Sequence, residues 1–209
     1  VLGSKGFIGT NLLSSVAGSN YIGLDKSEVD LTQANSTSYL VQFIQNNNID
    51  SLILLSAIKR QDGDGAAIKV ANDKIVEQVV HAIADTGISL LYFSSCAVYG
   101  EKNEQKNVTE FSPLSPTSFY GEHKIWAESF IQEHLPGSSF LVLRPPLIYS
   151  ASQSNGYHPG GFIASALSCG SIQLWGDGSE LREFLDISDV IRAIHLLRDR
   201  RITGCFNLV

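Results

Sequence analysis

The sequence predicts an α/β protein built as a doubly wound parallel sheet, and three observations carry that reading. Short apolar runs rich in β-formers alternate with stretches of helical period along the whole chain, the pattern of a sheet covered by helices on both faces. Glycines recur where the first apolar run hands over to the first helical stretch, in Gly3-Ser4-Lys5-Gly6-Phe7-Ile8-Gly9. With 44% hydrophobic and 17% charged content, 209 residues are enough to bury a full core as one domain, or one domain plus a small lobe.

Taken in order, strands are expected at Val1–Leu2, Tyr21–Leu24, Ser51–Leu55, Leu90–Phe93, Phe140–Leu143 and Phe206–Val209. Helices are expected at Phe7–Val16, Ser36–Asn46, Ala66–Thr86 and Phe119–His134, the last closed by Pro136-Gly137. From Ser150 to Gly161 the composition shifts to Ser, Gly, Asn and Pro, which marks a loop and the edge of a second lobe. Strands average about five residues, so Val1-Leu2 reads as the end of a longer strand. The run to Val209 also stops while still apolar, and the chain is therefore expected to be part of a longer protein.

Composition narrows the function. A net charge of −6, without clustered Lys and Arg, argues against nucleic-acid binding. Cys96, Cys169 and Cys205 are widely spaced with no metal or disulfide pattern, as in a reduced, cytoplasmic protein, and no bound metal is expected. The longest apolar run, Ser51 to Ile58, is too short to span a membrane.

In the glycine turn, small residues permit a tight bend, let backbone N–H groups approach a pyrophosphate and let the helix pack closely on the strand. The next strand ends in Asp25, where a carboxylate accepts hydrogen bonds from a ribose 2′-hydroxyl and repels a 2′-phosphate. That favours NAD over NADP, and the adjacent Lys26 moderates the preference. Taken alone, Asp25 also fits an ordinary turn residue.

Tyr120-Gly121-Glu122-His123-Lys124 opens a helix, and the i, i+4 spacing puts Tyr120 and Lys124 on one face. A phenol titrates near pH 10, so using it as a base at neutrality takes ~4 kcal/mol of stabilisation, and a neighbouring ammonium has the required sign. Ser95 ends the apolar strand that runs through Phe93, at the carboxyl edge where parallel sheets face their ligands. Ser95 is the expected contact to a substrate oxygen, and Ser94 a structural or cofactor contact.

These segments, in order, resemble the extended short-chain dehydrogenase/reductases. The resemblance is carried by Gly3-x-x-Gly6-Phe7-Ile8-Gly9, Asp25, Ser94-Ser95-x-x-Val98-Tyr99-Gly100, Tyr120-Gly121-x-x-Lys124, Leu143-Arg144-Pro145, Gly176-Asp177-Gly178, Arg182-Glu183-Phe184, Asp189-Val190 and Ala193-Ile194. It implies a Rossmann-type dinucleotide-binding domain over residues 1–149. Residues 150–209 would form a truncated substrate-binding lobe, from which a helix at about 188–198 returns to the core. It implies NAD as cofactor, with NADP as the alternative, a nucleotide-sugar substrate and a homodimer paired through two helices. Tyr120 would be the acid/base, Lys124 would hold the nicotinamide ribose and depress the phenol, and Ser95 would orient the substrate. Gly3, Gly6, Phe7, Ile8 and Gly9 would cradle the cofactor, Asp30 and Leu31 would meet adenine, Ala57 would line the cleft, and Arg182 would hold the substrate diphosphate, which suits its planar fork of donors.

The pattern departs from the family's dehydratases, which carry Thr-Asp-Glu where this chain has Ser95-Cys96-Ala97. Epimerisation through a transient keto sugar is therefore favoured, with reduction of a keto-sugar nucleotide next; a non-catalytic dinucleotide-binding regulator would have no need to retain Tyr120, Lys124 and Ser95. The run from Asp25 to Leu31 leaves no room for a helix, as in the family's reductases, and Ser150 stands where glycine is common. Cys96 reads as a small buried hydrophobe in preference to a second acid/base. His123 points to another side of the helix, where exposure or packing is expected, while Lys59-Arg60 fits an exposed charged loop or a phosphate contact. His81, His134 and His195 are expected to have no partners.

Overall fold

The computed structural model describes residues 1–15, 21–59, 62–100, 107–137, 139–150, 160–172 and 181–209. Its centre is a parallel sheet of β1 (Ser51–Leu54), β2 (Ser89–Phe93), β3 (Phe140–Arg144) and β6 (Gly204–Asn207), in that order. A short parallel pair, β4 (Leu147–Tyr149) with β5 (Phe184–Asp186), stands apart. Neither member of that pair was expected from the sequence, since three residues are too few to show a period.

Two expected strands are reduced to single bridges. Leu2 pairs in parallel with Leu24 on one side and Leu54 on the other, so Val1–Leu2 and Tyr21–Leu24 extend the sheet beyond β1 by one rung each. With these rungs counted, the lateral order is Leu24, Leu2, β1, β2, β3, β6. The chain therefore reverses its direction of travel across the sheet between Leu2 and β1, and in open α/β sheets the ligand crevice lies at such a reversal.

Alternation along the strands assigns the two faces. Leu52, Leu54, Leu90, Tyr92 and Val142 belong to one core. That core is covered by α2 (Ser36–Asn46), α3 (Ala66–Ile83) and α4 (Phe119–His134). Ile53, Leu91, Phe93, Leu141 and Leu143 belong to the other, covered by α1 (Phe7–Ser14) and α6 (Ile187–Asp199). The helices face inward as their periods require. In α3 the buried positions are Asn72, Ile75, Val76, Val79, Val80, Ala82 and Ile83, and in α6 they are Ile187, Val190, Ile191 and Ile194. Each such aliphatic side chain contributes roughly 1.5–3 kcal/mol by leaving water.

Caps fix where α4 and α6 begin. Ser118 accepts a hydrogen bond from Gly121 N at 3.1 Å, and Asp186 accepts one from Ser188 N at 2.8 Å. Most of the loop expected from Ser150 to Gly161, residues 151–159, lies outside the described residues, and at its end begins a helix the sequence reading missed, α5 (Gly160–Cys169). Its Gly160-Gly161 start and Ser165 and Ser168 lower helix propensity and hide the period. Val16 and Gly176-Asp177-Gly178 lie outside the described residues.

Candidate functional site

The glycine turn packs against the reversal point. Gly3 has φ +91°, and a Cβ there would lie 2.9 Å from Ser56 N, just past β1. At Gly9 a Cβ would meet Gly3 O at 2.4 Å. Both positions therefore require glycine, one for its backbone conformation and one for the closeness of the turn to the first helical residues. Gly6 caps α1, whose first turn, from Phe7 and Ile8, contains no carboxylate. A helix N-terminus without local anions is suited to a phosphate, so the cradle fits the pyrophosphate of a dinucleotide.

Asp25 closes one side of this turn. Its carboxylate pairs with Lys5, from the glycine turn itself, and accepts from Ser27 N and Oγ, both at 2.6 Å. The Lys5 contact first, then those from Ser27, hold Asp25 at about 2, below the ordinary carboxylate range. Lys26, the cation expected beside Asp25, is drawn instead to Asp30 at 3.7 Å, because an i, i+4 reach along the turn is shorter than folding back. Asp30 also accepts from Thr32 N and Oγ1 at 3.0 and 2.7 Å. Leu31 is buried, and Ala57 is half-buried just beyond β1.

Beside Ala57, Asn72 of α3 grips the backbone of Ile58, accepting from its N at 2.7 Å and donating to its O at 3.1 Å. Asn72 was missed, although a signal exists: an amide in the apolar phase of an amphipathic helix is burying a polar group for a reason. Ile58, Asn72, Asp64, Lys69, Phe119 and Tyr120 line a narrow surface crevice. A continuous wall thus runs from the glycine turn through Ser56 and Ile58 to Tyr120.

Tyr120, Lys124 and Glu128 recur every fourth residue of α4 and face the carboxyl end of the sheet. Tyr120 N donates to Asp64 at 3.0 Å. Lys124 is only 3% exposed. Its Nζ donates to Phe93 O, the last carbonyl of β2, at 2.7 Å and to the Tyr92 hydroxyl at 3.0 Å, and lies 5.4 Å from the centre of the Tyr120 ring. Burial pushes the Lys124 pKa down to about 7 against the opposing pull of Glu128, so amine and ammonium coexist near neutrality. Burial also raises the Tyr92 phenol well above its usual value, leaving it protonated.

Ser95 caps the 3₁₀ turn Cys96–Tyr99, accepting from Ala97 N at 3.2 Å. That turn packs on the start of α4, and a Cβ on Gly121 would lie 2.7 Å from Ala97 O. Glycine at 121 is therefore what lets the start of α4 pack against the turn that follows Ser95. Ser94 is buried and donates to Glu128, a structural contact. Cys96 is exposed and does not fill the core as expected, because β2 ends at Phe93 and Cys96 opens the 3₁₀ turn beyond the sheet.

His123, anticipated as exposed or packed, is 1% exposed. It is hydrogen-bonded to Asp73 of α3, with Nδ1 2.7 Å from Oδ1, and lies 3.4 Å from the Tyr92 hydroxyl. Burial pushes it down to about 4 despite the raising effect of Asp73. His195, His134 and His81 have partners that the sequence did not reveal. His195 lies 3.2 Å from Ser15 Oγ and 3.4 Å from the Tyr21 hydroxyl, His134 contacts Phe130 O at 2.9 Å, and His81 meets Phe130 edge-on. Arg182 is exposed two residues before β5, Lys59 is exposed and Arg60 lies outside the described residues. Among the described residues no cluster suits a metal ion, and no helix is long and apolar enough to cross a membrane.

This arrangement agrees with what the chain is similar to. It is 26% identical to the putative UDP-glucose 4-epimerase of Methanocaldococcus jannaschii, over 92% of this chain and 70% of that protein. It is also 26% identical to the ADP-L-glycero-D-manno-heptose-6-epimerase of Pseudomonas paraeruginosa, over 100% of this chain and 72% of that protein. The fold superposes on that of the dTDP-glucose 4,6-dehydratase of Bacillus anthracis, solved with NAD, with a TM-score of 0.83 at 20% identity, over 99% of this chain and 73% of that one. Residues 1–207 match the sequence model of the NAD dependent epimerase/dehydratase family, and the chain is an enzyme of that family.

Proposed function

We propose that the protein is an NAD-dependent sugar-nucleotide epimerase that works through a transient keto sugar. The observation that carries this reading is the Tyr120–Lys124 pair, set on one face of α4 at the carboxyl end of β2, in a wall continuous with the glycine turn. Its relatives in Methanocaldococcus and Pseudomonas are named as epimerases.

In this reading Gly3, Gly6 and Gly9, with the first turn at Phe7 and Ile8, receive the pyrophosphate of NAD. Asp25 receives the adenosine ribose after exchanging Lys5, Asp30 and Leu31 border the adenine, and Ala57 borders the cleft. Bound NAD supplies the hydride acceptor. Ser95 holds the substrate hydroxyl, and Tyr120, kept as the phenolate by the Lys124 ammonium, takes its proton and becomes the neutral phenol. Arg182 is assigned to the substrate diphosphate, with the substrate side formed from residues 150–186, before α6 and β6 return to the core and sheet of the cofactor-binding domain.

The test is incubation of the protein with NAD and a panel of UDP- and dTDP-hexoses. Interconversion of two epimers with no net change in NADH is the expected result, and Tyr120→Phe should lower its rate at least about a hundredfold while cofactor binding persists. Stoichiometric consumption of NADH on keto sugars would replace the epimerase with a reductase. Cofactor binding with no turnover on any sugar would make it a regulator.

A further inference from the structure

Beneath Lys124 runs a line of hydrogen-bonding groups that the reaction just described does not use. Lys124 Nζ donates to the Tyr92 hydroxyl at 3.0 Å, which commits the phenol's own proton to its other neighbour, His123 Nε2, at 3.4 Å. Nε2 must then carry a lone pair, so the imidazole proton sits on Nδ1 and donates to Asp73 Oδ1 at 2.7 Å. The other Asp73 oxygen meets Lys69 at 2.6 Å. From Lys124 through Tyr92 to His123 each group donates to the next, and the run ends at Asp73, which accepts from His123 on one oxygen and from Lys69 on the other. The chain begins at a 3% exposed lysine and ends at a carboxylate 15% exposed and an ammonium 23% exposed on α3.

We propose that Tyr92, His123 and Asp73 form a proton relay that connects Lys124 Nζ to solvent through the α3 surface. The proposal rests on the assignment of Lys124 to the acid/base site. In one passage Lys124 gives an N–H proton to the Tyr92 oxygen, Tyr92 gives its O–H proton to His123 Nε2, and His123 gives its Nδ1 proton to Asp73. Three bonds to hydrogen break and three form, leaving a neutral amine and a carboxylic acid, and no electrons change hands. Reversal reloads Lys124. The 3.4 Å step is the longest and acts as the gate.

The groups that face His123 suit this role. Asp73 and Lys69 face it from α3, Tyr92 from β2, and Lys124 from its own helix, with Tyr120 and Glu128 acting on Tyr92. The wire needs an unprotonated Nε2, and burial keeps His123 in that form at neutral pH. Burial raises Asp73, but the hydrogen bonds from His123 and Lys69 outweigh it and hold Asp73 below its usual range, so it is ionised and receives the His123 Nδ1 hydrogen bond.

Exchange of the Lys124 Nζ protons with solvent tests the relay without substrate or cofactor. At pH 6 the lysine ammonium resonances of the full chain are followed by ¹⁵N NMR, with Lys124 assigned by its loss in Lys124→Arg. His123→Gln and Tyr92→Phe keep polarity or shape but cannot pass a proton, and each is expected to slow Lys124 exchange at least tenfold. Imidazole added to His123→Ala should restore it. Loosened packing would accelerate exchange, so the sign separates a relay from a structural role. Where His123→Gln fails to fold, Asp73→Asn, which removes only the final acceptor, is expected to give the same slowing. Unchanged or faster exchange in the folded variants overturns the relay. Failure of the sugar assignment would instead appear in the Tyr120→Phe turnover assay and leave these rates untouched.

Discussion

Arg144, at the end of β3, holds Glu128 of α4 through hydrogen bonds of 3.0 Å from Nε and 2.6 Å from one terminal nitrogen, with both residues buried. The pair is extended on both sides. Arg144 also donates to the Tyr99 hydroxyl at 2.5 Å, Tyr99 donates to Asn207 at 2.8 Å, and Ser94 donates to Glu128. One carboxylate thereby ties the helix carrying Tyr120 and Lys124 to the ends of β2, β3 and β6.

Removing one partner of a buried ion pair strands the other, at a cost of roughly 3–5 kcal/mol. Glu128→Ala is therefore expected to lower the unfolding free energy by about that amount, read from urea or guanidinium melts. Glu128→Ala with Arg144→Met should cost clearly less than the single change. Equal losses would show that the pairing itself supplies the stability.

Acid should destabilise the fold through His123. Unfolded, the imidazole binds a proton as pH falls through about 6.5, whereas in the fold burial delays this to about 4. The unfolded state therefore holds more protons across that window, and stability must fall as pH drops from about 6.5 to about 4, by an amount on the order of 3 kcal/mol. Urea midpoints measured between pH 7 and 4 should show the decline. His123→Gln should flatten it, leaving the acid loss below pH 4 that the carboxylates Asp25 and Asp73 supply.

At Gly121 an alanine methyl would lie 2.7 Å from Ala97 O, a backbone atom that cannot rotate away. Gly121→Ala is expected to cost roughly 1–3 kcal/mol and to reduce turnover beyond what the loss of folded protein explains, since α4 must move off the Ser95 segment. Normal kcat in the folded fraction would show that this packing is not needed.

Lys5 cancels the charge of Asp25 in the absence of a ligand. Lys5→Ala should therefore sharpen the discrimination against the 2′-phosphate, and Asp25→Ala should relax it. Calorimetric titration with NAD and NADP reads both. An affinity ratio unmoved by either substitution would take the ribose contact away from this pair.

In the sequence itself, local rules were enough to delimit α2 and α4, to place the glycine turn before α1 and to put Tyr120 and Lys124 on one helical face. Period, caps and backbone freedom act within a few residues, so those features are written contiguously. What only the folded chain decided depends on partners far apart. The sheet order rests on Leu2 finding Leu24 and Leu54. The buried state of His123 rests on Asp73, 50 residues away, and the near-neutral titration of Lys124 rests on the loss of water around it beneath Tyr92. Desolvation and long-range pairing are properties of the assembled core, and no window of sequence contains them.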